Sequence, residues 1–397
     1  MQTLLQNSCR DVFAEDWRNA GFGLYIHWPY CEAKCPYCDF NSHVSRHIDQ
    51  QRWTRAYLRE IDKAGFAYPN RVLNTVFFGG GTPSLMAPDV VASVIDRIKS
   101  TWPTANNLEI TLEANPSSVE ADRFRAYADA GVSRISMGVQ ALNDADLRRL
   151  GRVHSAAEAR QAFNIARKYF DRVSFDLIYA RQDQSLAYWK QELSEALTMA
   201  VDHLSLYQLT IEPGTVFAQR YANGKLRDLP DDDLAADMYD VTQETCDAHG
   251  MPAYEVSNHA QSDAESQHNM IYWRYGDYLG IGPGAHGRVT ENETRFATES
   301  FSNPDKWLEM SETGSPIKTK KRLSPATQAD EYLMMSLRLS EGLDMARYQA
   351  ISGKELSAET LDHLSEIGML DVDHDRIRAT REGRIVLNAV IQELLNG

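Results

Sequence analysis

Residues 23–40 read GLYIHWPYCEAKCPYCDF, an apolar run followed by three cysteines, Cys31, Cys35 and Cys38, within eight residues. The chain has only five cysteines in 397 residues, so one loop holds most of them. The run GLYIHW has the composition of a buried strand, which puts the three thiols just beyond its carboxyl end. Whether that strand belongs to a parallel sheet decides the fold, because such sheets gather their chemistry at strand carboxyl ends.

Five similar runs follow: NTVFFGGG (74–81), LEITLEANP (108–116), RISMGVQ (134–140), RVSFDLIYA (172–180) and HLSLYQLTIEPG (203–214). Amphipathic segments lie between them, among them DVVASVIDRIKSTW, SAAEARQAFNIARKYF and SLAYWKQELSEALTMAV. Six successive β–α units predict a parallel sheet with helices on its outer face. Six are too few for a closed eight-stranded barrel, so the expected fold is α/β, an open partial (β/α)6 barrel over 22–215. The thiols, GGGTPS, EANPS, GVQ and DLIYA then share one rim.

Residues 1–21 read as an N-terminal extension and 216–320 as a continuation of the barrel. A turn-rich stretch at 311–325, SETGSPIKTKKRLSP, suggests a boundary before a C-terminal unit at 321–397. The spacing in that unit predicts helices with a short two-stranded wing, a winged-helix-like domain. It carries nine basic against thirteen acidic side chains, which favours a lid or protein-docking role over nucleic-acid binding.

Bulk composition is that of an ordinary globular protein, 43% hydrophobic and 24% charged. The net charge of −15 argues against broad binding to nucleic acid or anionic membranes. The N-terminus lacks a signal-peptide pattern, and no run approaches the about 20 apolar residues of a membrane span. Cys9 and Cys246 are isolated and read as inert or buried thiols, so the expected compartment is reducing, the cytoplasm.

Three clustered thiolates suit zinc or an iron–sulfur cluster. His27 or His43 would complete a Cys3His zinc site. A cluster held by three thiolates instead leaves one iron open to a ligand from outside. The rim adds groups that such a ligand needs. Glycines in Gly79–Gly81 allow close backbone approach, Glu113 can accept hydrogen bonds from hydroxyls, and Arg152 can clamp a carboxylate. Each also has a plainer reading: a tight turn, a solvated acid, a surface arginine.

The spacing Cys31-x3-Cys35-x2-Cys38, with Tyr37 before the last thiol, resembles the radical S-adenosylmethionine (SAM) superfamily. The resemblance implies a 4Fe–4S cluster on those three cysteines and SAM on its open iron. It extends along nearly the whole chain to the oxygen-independent coproporphyrinogen III oxidase group. Carried over by motif, it implies SAM contacts at Tyr25, Tyr37, Gly80, Gly81, Thr82, Glu113, Gln140, Arg152 and Asp176.

Two departures point to a sister branch. True oxidases of the group carry a further cysteine where this chain has Phe40, and a longer N-terminal extension. The stretch His268-Asn269-Met270-Ile271-Tyr272-Trp273 matches the H-N-x-x-Y-W marker of the HemW-type haem chaperones. That branch implies haem as cargo, with His268, Asn269, Tyr272 and Trp273 in its binding. It also implies client apo-haem proteins, peripheral contact with membranes through those clients, and a homodimer. Read without the family, the same aromatic stretch is a structural cap in which His268 bonds the backbone. His286, in the glycine-rich loop 280–287, is a second ligand candidate. Where the group continues DLIYGLPGQ, this chain reads DLIYARQDQ, so the loop after residue 179 should differ in shape. Coproporphyrinogen oxidation is the alternative activity, and the departures lead us to expect it to be absent.

Overall fold

The computed structural model describes residues 15–45, 47–117 and 123–397, and Cys9 lies outside the described residues. Six strands form the body of its main sheet: β1 (Phe22–Trp28), β2 (Leu73–Gly80), β3 (Thr104–Ala114), β4 (Arg134–Gln140), β5 (Arg172–Tyr179) and β6 (His203–Gln208). They are the six runs singled out in the sequence. Each pairs in parallel with the next in chain order. Helices at Pro88–Thr101, Ala156–Ala166 and Leu186–Met199 make the crossovers. The Ala156–Ala166 helix starts on a capping box, Ser155 with Glu158, and the Leu186–Met199 helix on the Ser185 hydroxyl.

Side chains alternate across this sheet. Leu24, Ile26, Val76, Phe78, Ile110, Leu112, Ile135, Val173, Phe175 and Leu204 are buried on the outer, helix-covered face. The inner positions between them are mostly polar: Thr75, Thr111, Glu113, Arg134, Ser136, Ser174, Asp176 and Ser205. A strand buries a continuous apolar face at low cost, whereas buried polar groups cost free energy unless bonded. A polar interior is therefore a site rather than a second core.

The sheet runs on past the six units. Strand β7 (Asn258–Ala260) adds antiparallel to β6, and β8 (Asp277–Ile281) adds parallel to β1 on the opposite flank. Beyond β8 come β9 (His286–Glu291), β10 (Thr294–Ser300) and β11 (Ile317–Arg322), all antiparallel. The open eleven-stranded order is β11-β10-β9-β8-β1-β2-β3-β4-β5-β6-β7. The stretch 311–325, read as a turn-rich boundary, holds the end of the Pro304–Thr313 helix and the edge strand β11. All six residues of β11 are exposed, so no apolar periodicity announces it.

Two helices matter below: α1 (Gln267–Trp273), inserted against β1 and β2, and α2 (Pro325–Ser336), which opens the C-terminal unit. That unit has its own core of Leu333, Leu337, Leu343, Leu364, Ile377 and Val390. Its wing has three strands rather than two, Leu343–Asp344 joining Arg376–Ala379 and Leu370–Asp373. Ion pairs seat it on the barrel: Arg274–Glu341, Arg288–Glu331, Arg347–Asp16 and Arg381 with Asp240 and Glu244. Among the described residues, no helix is long and apolar enough to cross a membrane.

Candidate functional site

After β1 the chain turns through Pro29 into a two-residue strand, Tyr30–Cys31, paired with His43–Val44. The loop between them carries Cys35 and Cys38. It is pinned from several directions. Thr82 N–H donates to the Tyr30 carbonyl at 2.8 Å, and Phe217 N–H donates to the Pro36 carbonyl at 2.9 Å. Asn41 Nδ2 donates to the Pro283 and Ser302 carbonyls at 3.0 and 2.9 Å. All three thiols are free and part-exposed. Burial pushes the Cys31 and Cys38 thiols above their ordinary range, so a soft metal must displace a proton to bind there.

The donor set fits a cluster with one open corner. Neither candidate fourth ligand is idle: His27 Nδ1 lies 3.1 Å from the Tyr25 hydroxyl and its Nε2 3.0 Å from the Asn41 carbonyl. His43 Nε2 sits 3.2 Å from Asn41 Oδ1. Among the described residues, no three His, Cys, Asp or Glu side chains are grouped to hold a single metal ion. A cubane binds each thiolate through a different iron, so its ligands need not meet at one point.

Around this loop the strand ends bring the expected SAM residues together. At the end of β2, Gly80 has φ +114°, and its N–H donates to Glu113 Oε2 at 3.1 Å. A Cβ on Gly80 would strike the His27 ring and the Trp28 carbonyl, so the turn requires glycine. Glu113 is pushed up to about 8, first by burial and then by the neighbouring Asp176 charge. Asp176 is itself raised to about 6 by burial, with Ser205 and Arg134 opposing. Two neighbouring carboxyls on the inner face of the sheet, both raised, mark a candidate binding site.

Arg152 follows the short helix after β4. Its Nη2 donates to Asn115 Oδ1 at 2.6 Å and to the Gly138 carbonyl at 2.7 Å, and its Nη1 reaches Cys35 Sγ at 3.4 Å. Asn115 Nδ2 in turn donates to Thr82 Oγ1 at 3.2 Å. The Gln140 amide lies beside Arg152 over Gly138, on a backbone at φ +74°. Tyr37 packs on Phe217, its phenol raised by burial next to Arg152 and Cys35. Tyr25 stacks on Phe77 deeper in the barrel.

Sequence reasoning missed two members of this constellation. Asn115 links Thr82 to Arg152, and its signal was its place in LEANP, two residues after Glu113. Arg134 is the buried cation that draws Glu113 and Asp176 downward, with Nη2 on Ser174 Oγ at 2.7 Å. Its signal was an arginine at an inward strand position.

After β5 the chain continues through Ala180-Arg181-Gln182. Ala180 takes φ +56°, and Arg181 folds into the protein between Asp146 (2.9 Å) and Glu192 (2.6 Å). Cys246 is fully buried, its thiol pushed up to about 12 by burial, as an inert thiol should be.

The H-N-x-x-Y-W residues lie elsewhere. They form α1, which plugs the barrel beside Gly23 and Thr75, at the amino-terminal ends of the strands. His268 is 1% exposed, with Nδ1 2.7 Å from Thr75 Oγ1 and Nε2 2.7 Å from the Tyr272 hydroxyl. It bonds side chains, not the backbone of the plain structural reading. Burial lowers His268 to about 3, and its ring stacks on Phe77. Trp273 turns away to pack near Tyr254 and Leu339, and Asn269 stays close to the Ser266 cap. His286 is exposed at the start of β9, near the mouth.

Comparison with known proteins agrees with this geometry. The model of the Radical SAM superfamily matches residues 25–191, and that of the HemN C-terminal domain matches 323–386. The mitochondrial Radical S-adenosyl methionine domain-containing protein 1 of Bos taurus is 37% identical over 385 residues, spanning 94% of this chain and 87% of that protein. The Heme chaperone HemW of Haemophilus influenzae is 37% identical over 383 residues, spanning 94% of this chain and 97% of that protein. In fold, the chain superposes on coproporphyrinogen III oxidase (HemN) from Escherichia coli with a TM-score of 0.79 at 21% identity, covering 99% and 93% of the two chains. Radical SAM proteins carry a 4Fe–4S cluster and SAM, and the thiol loop and polar cavity described above suit both. The chain belongs to the radical SAM superfamily, in the family that includes the bacterial haem chaperone HemW.

Proposed function

We propose that this protein is a haem chaperone, which binds haem on a barrel carrying a 4Fe–4S cluster and SAM and hands it to client apo-haem proteins, respiratory enzymes first among them. The observation that carries this reading is the likeness along 97% of the length of a protein named a haem chaperone. Phe40 supports it from the structure: it is 57% exposed at the position where the oxidases of the group have a cysteine. We take the compartment to be the cytoplasm, where a reducing pool keeps Cys31, Cys35 and Cys38 as thiols. A homodimer, and contact with membranes through the clients alone, belong to the same reading.

In this reading Cys31, Cys35 and Cys38 hold the cluster. Tyr25, Tyr37, Gly80, Gly81, Thr82, Glu113, Gln140, Arg152 and Asp176 surround SAM. Glu113 offers its carboxyl oxygens to ribose hydroxyls, and the glycine turn lets backbone groups come close. Arg152, already in contact with Cys35, places a positive charge where thiolates concentrate negative charge. When bound, the two cofactors supply one-electron reductive cleavage of the sulfonium. His268, Asn269, Tyr272 and Trp273 enter as the structural support of the haem-binding barrel, because both His268 ring nitrogens are already engaged.

The second reading, oxidative decarboxylation of coproporphyrinogen III, is favoured by the fold match alone. One assay separates the two. Reconstituted protein given coproporphyrinogen III, SAM and a reductant should yield no protoporphyrinogen, while ferric haem should give a protein-bound Soret band. Porphyrin product at enzymatic rates would overturn the chaperone reading.

A further inference from the structure

The concave face of the sheet does not stop at β1. Inward positions follow the register from strand to strand: Tyr25 pairs with Gly280, and Gly23 with Tyr278. Tyr278 pairs in turn with Arg288. Two residues before Arg288, His286 therefore lies beside Gly280, where any side chain would overlap the His286 carbonyl. One strand further out, His286 faces Glu299 and Arg288 faces Ala297. On β11 the same rows end in Thr319 and Lys321. The extension of the barrel wall is thus a shelf level with Tyr25, open to solvent at His286 and Lys321.

The chemistry along this shelf is that of a haem cradle. We propose, building on the chaperone reading, that His286 is the axial ligand of the haem iron and that Lys321 receives a propionate. His286 is exposed, and among the described residues its ring has no hydrogen-bond partner. Glu299 stands directly opposite on the neighbouring strand and holds Lys318 Nζ at 2.8 Å. A carboxylate that accepts one imidazole N–H fixes the ring and leaves the other nitrogen for iron. Ala297, next to Glu299 on the same face, is small enough to let a flat macrocycle approach. Cross-strand neighbours are separated by about 4.8 Å, so Lys321, two strands beyond His286, is within reach of a carboxylate at the ring's periphery. Among the described residues, Lys321 has no ion pair, unlike Lys318 and Lys320 beside it.

The test is titration of the full-length protein with ferric haem, read by absorption and electron paramagnetic resonance. His286→Ala should move the Soret band and abolish the histidine-type signal, and free imidazole should restore that signal. Glu299→Gln should weaken binding on the order of 10-fold, since it removes the carboxylate that would orient the ring once haem binds. Lys321→Glu should weaken binding several-fold without moving the Soret band. A His286→Ala spectrum identical to wild type would overturn the assignment. So would loss of the signal in His268→Gln at an unchanged melting temperature. If wild-type protein gives no bound Soret band at all, the chaperone reading itself fails and this assignment falls with it.

Discussion

The mouth of the barrel and its floor both carry residues that stand out in the sequence, but they are in opposite chemical states. At the mouth, three thiols are part-exposed and unpaired by disulfides, and two carboxyls are held above their ordinary range by burial. At the floor, His268 is neutral, enclosed and hydrogen-bonded at both ring nitrogens. The mouth keeps thiols and raised carboxyls available, as a ligand site must, whereas His268 has used its bonding capacity in holding the floor together. A motif shows that its residues act together. Their satisfaction shows whether they act on a ligand or on the fold.

The largest expected effect tests the mouth. Cys35→Ala should abolish iron–sulfur absorbance after anaerobic reconstitution, with iron and sulfide content falling to background. The apo-protein should melt close to wild type, because a part-exposed thiol contributes little packing. A large fall in apo stability would erase the contrast with the floor.

The floor should respond the other way. His268→Ala leaves the Thr75 and Tyr272 hydroxyls without their partner and opens a cavity under Phe77, costing about 2–4 kcal/mol in chemical denaturation. Reconstitution of the cluster in the surviving folded fraction should be unaffected. A stable His268→Ala protein would mean that the floor is as unsatisfied as the mouth.

A pH profile sharpens the same contrast. The Glu113 carboxyl sits at about 8 in the fold against an ordinary 4.5. Between those values the unfolded chain has released a proton that the fold retains. Stability of the apo-protein should therefore fall as pH rises from near 4.5 to about 8, then level off. Asp176, raised from 3.8 to about 6, adds a fall of the same sign over its own range. Glu113→Gln should flatten the upper part of the melting-temperature profile. An unchanged slope between pH 6 and 8 would show that Glu113 ionises freely.

How far these regions could be read in advance follows from what each buries. Strands β1 to β6 were legible because Leu24, Ile26, Val76, Phe78 and their counterparts must face the helices. Strand β11 was not, because IKTKKR buries nothing and pairs on one edge only. The mouth was legible because its glycines, thiols and carboxyls fall at strand ends, where a turn or a ligand is the common use for them. The floor was legible as a motif, but its hydrogen bonds were not. A histidine among aromatics has the same sequence whether it faces a ligand or a threonine hydroxyl, and Thr75 lies 193 residues from His268.

The smallest effect lies in the loop that departs from the family pattern. Ala180 holds a left-handed backbone, φ +56°, the region that favours glycine. An L-residue there costs roughly 1–2 kcal/mol, and replacing it by glycine releases that strain. Glycine also frees the unfolded chain, returning about 0.4–1 kcal/mol of the gain. The net expectation for Ala180→Gly is a stabilisation of about 0.5–1 kcal/mol, read as a small rise in melting temperature. Arg181 determines whether that gain appears. Its guanidinium is locked between Asp146 and Glu192 and donates to the Ile178 carbonyl at 2.6 Å, so this buried network sets the loop's shape. If the network imposes the turn, Ala180 is strained to suit it, and glycine relieves that strain without altering the mouth. If Ala180→Gly instead destabilises the protein, the alanine methyl is part of the packing, and the loop belongs with the saturated floor despite lying at the rim.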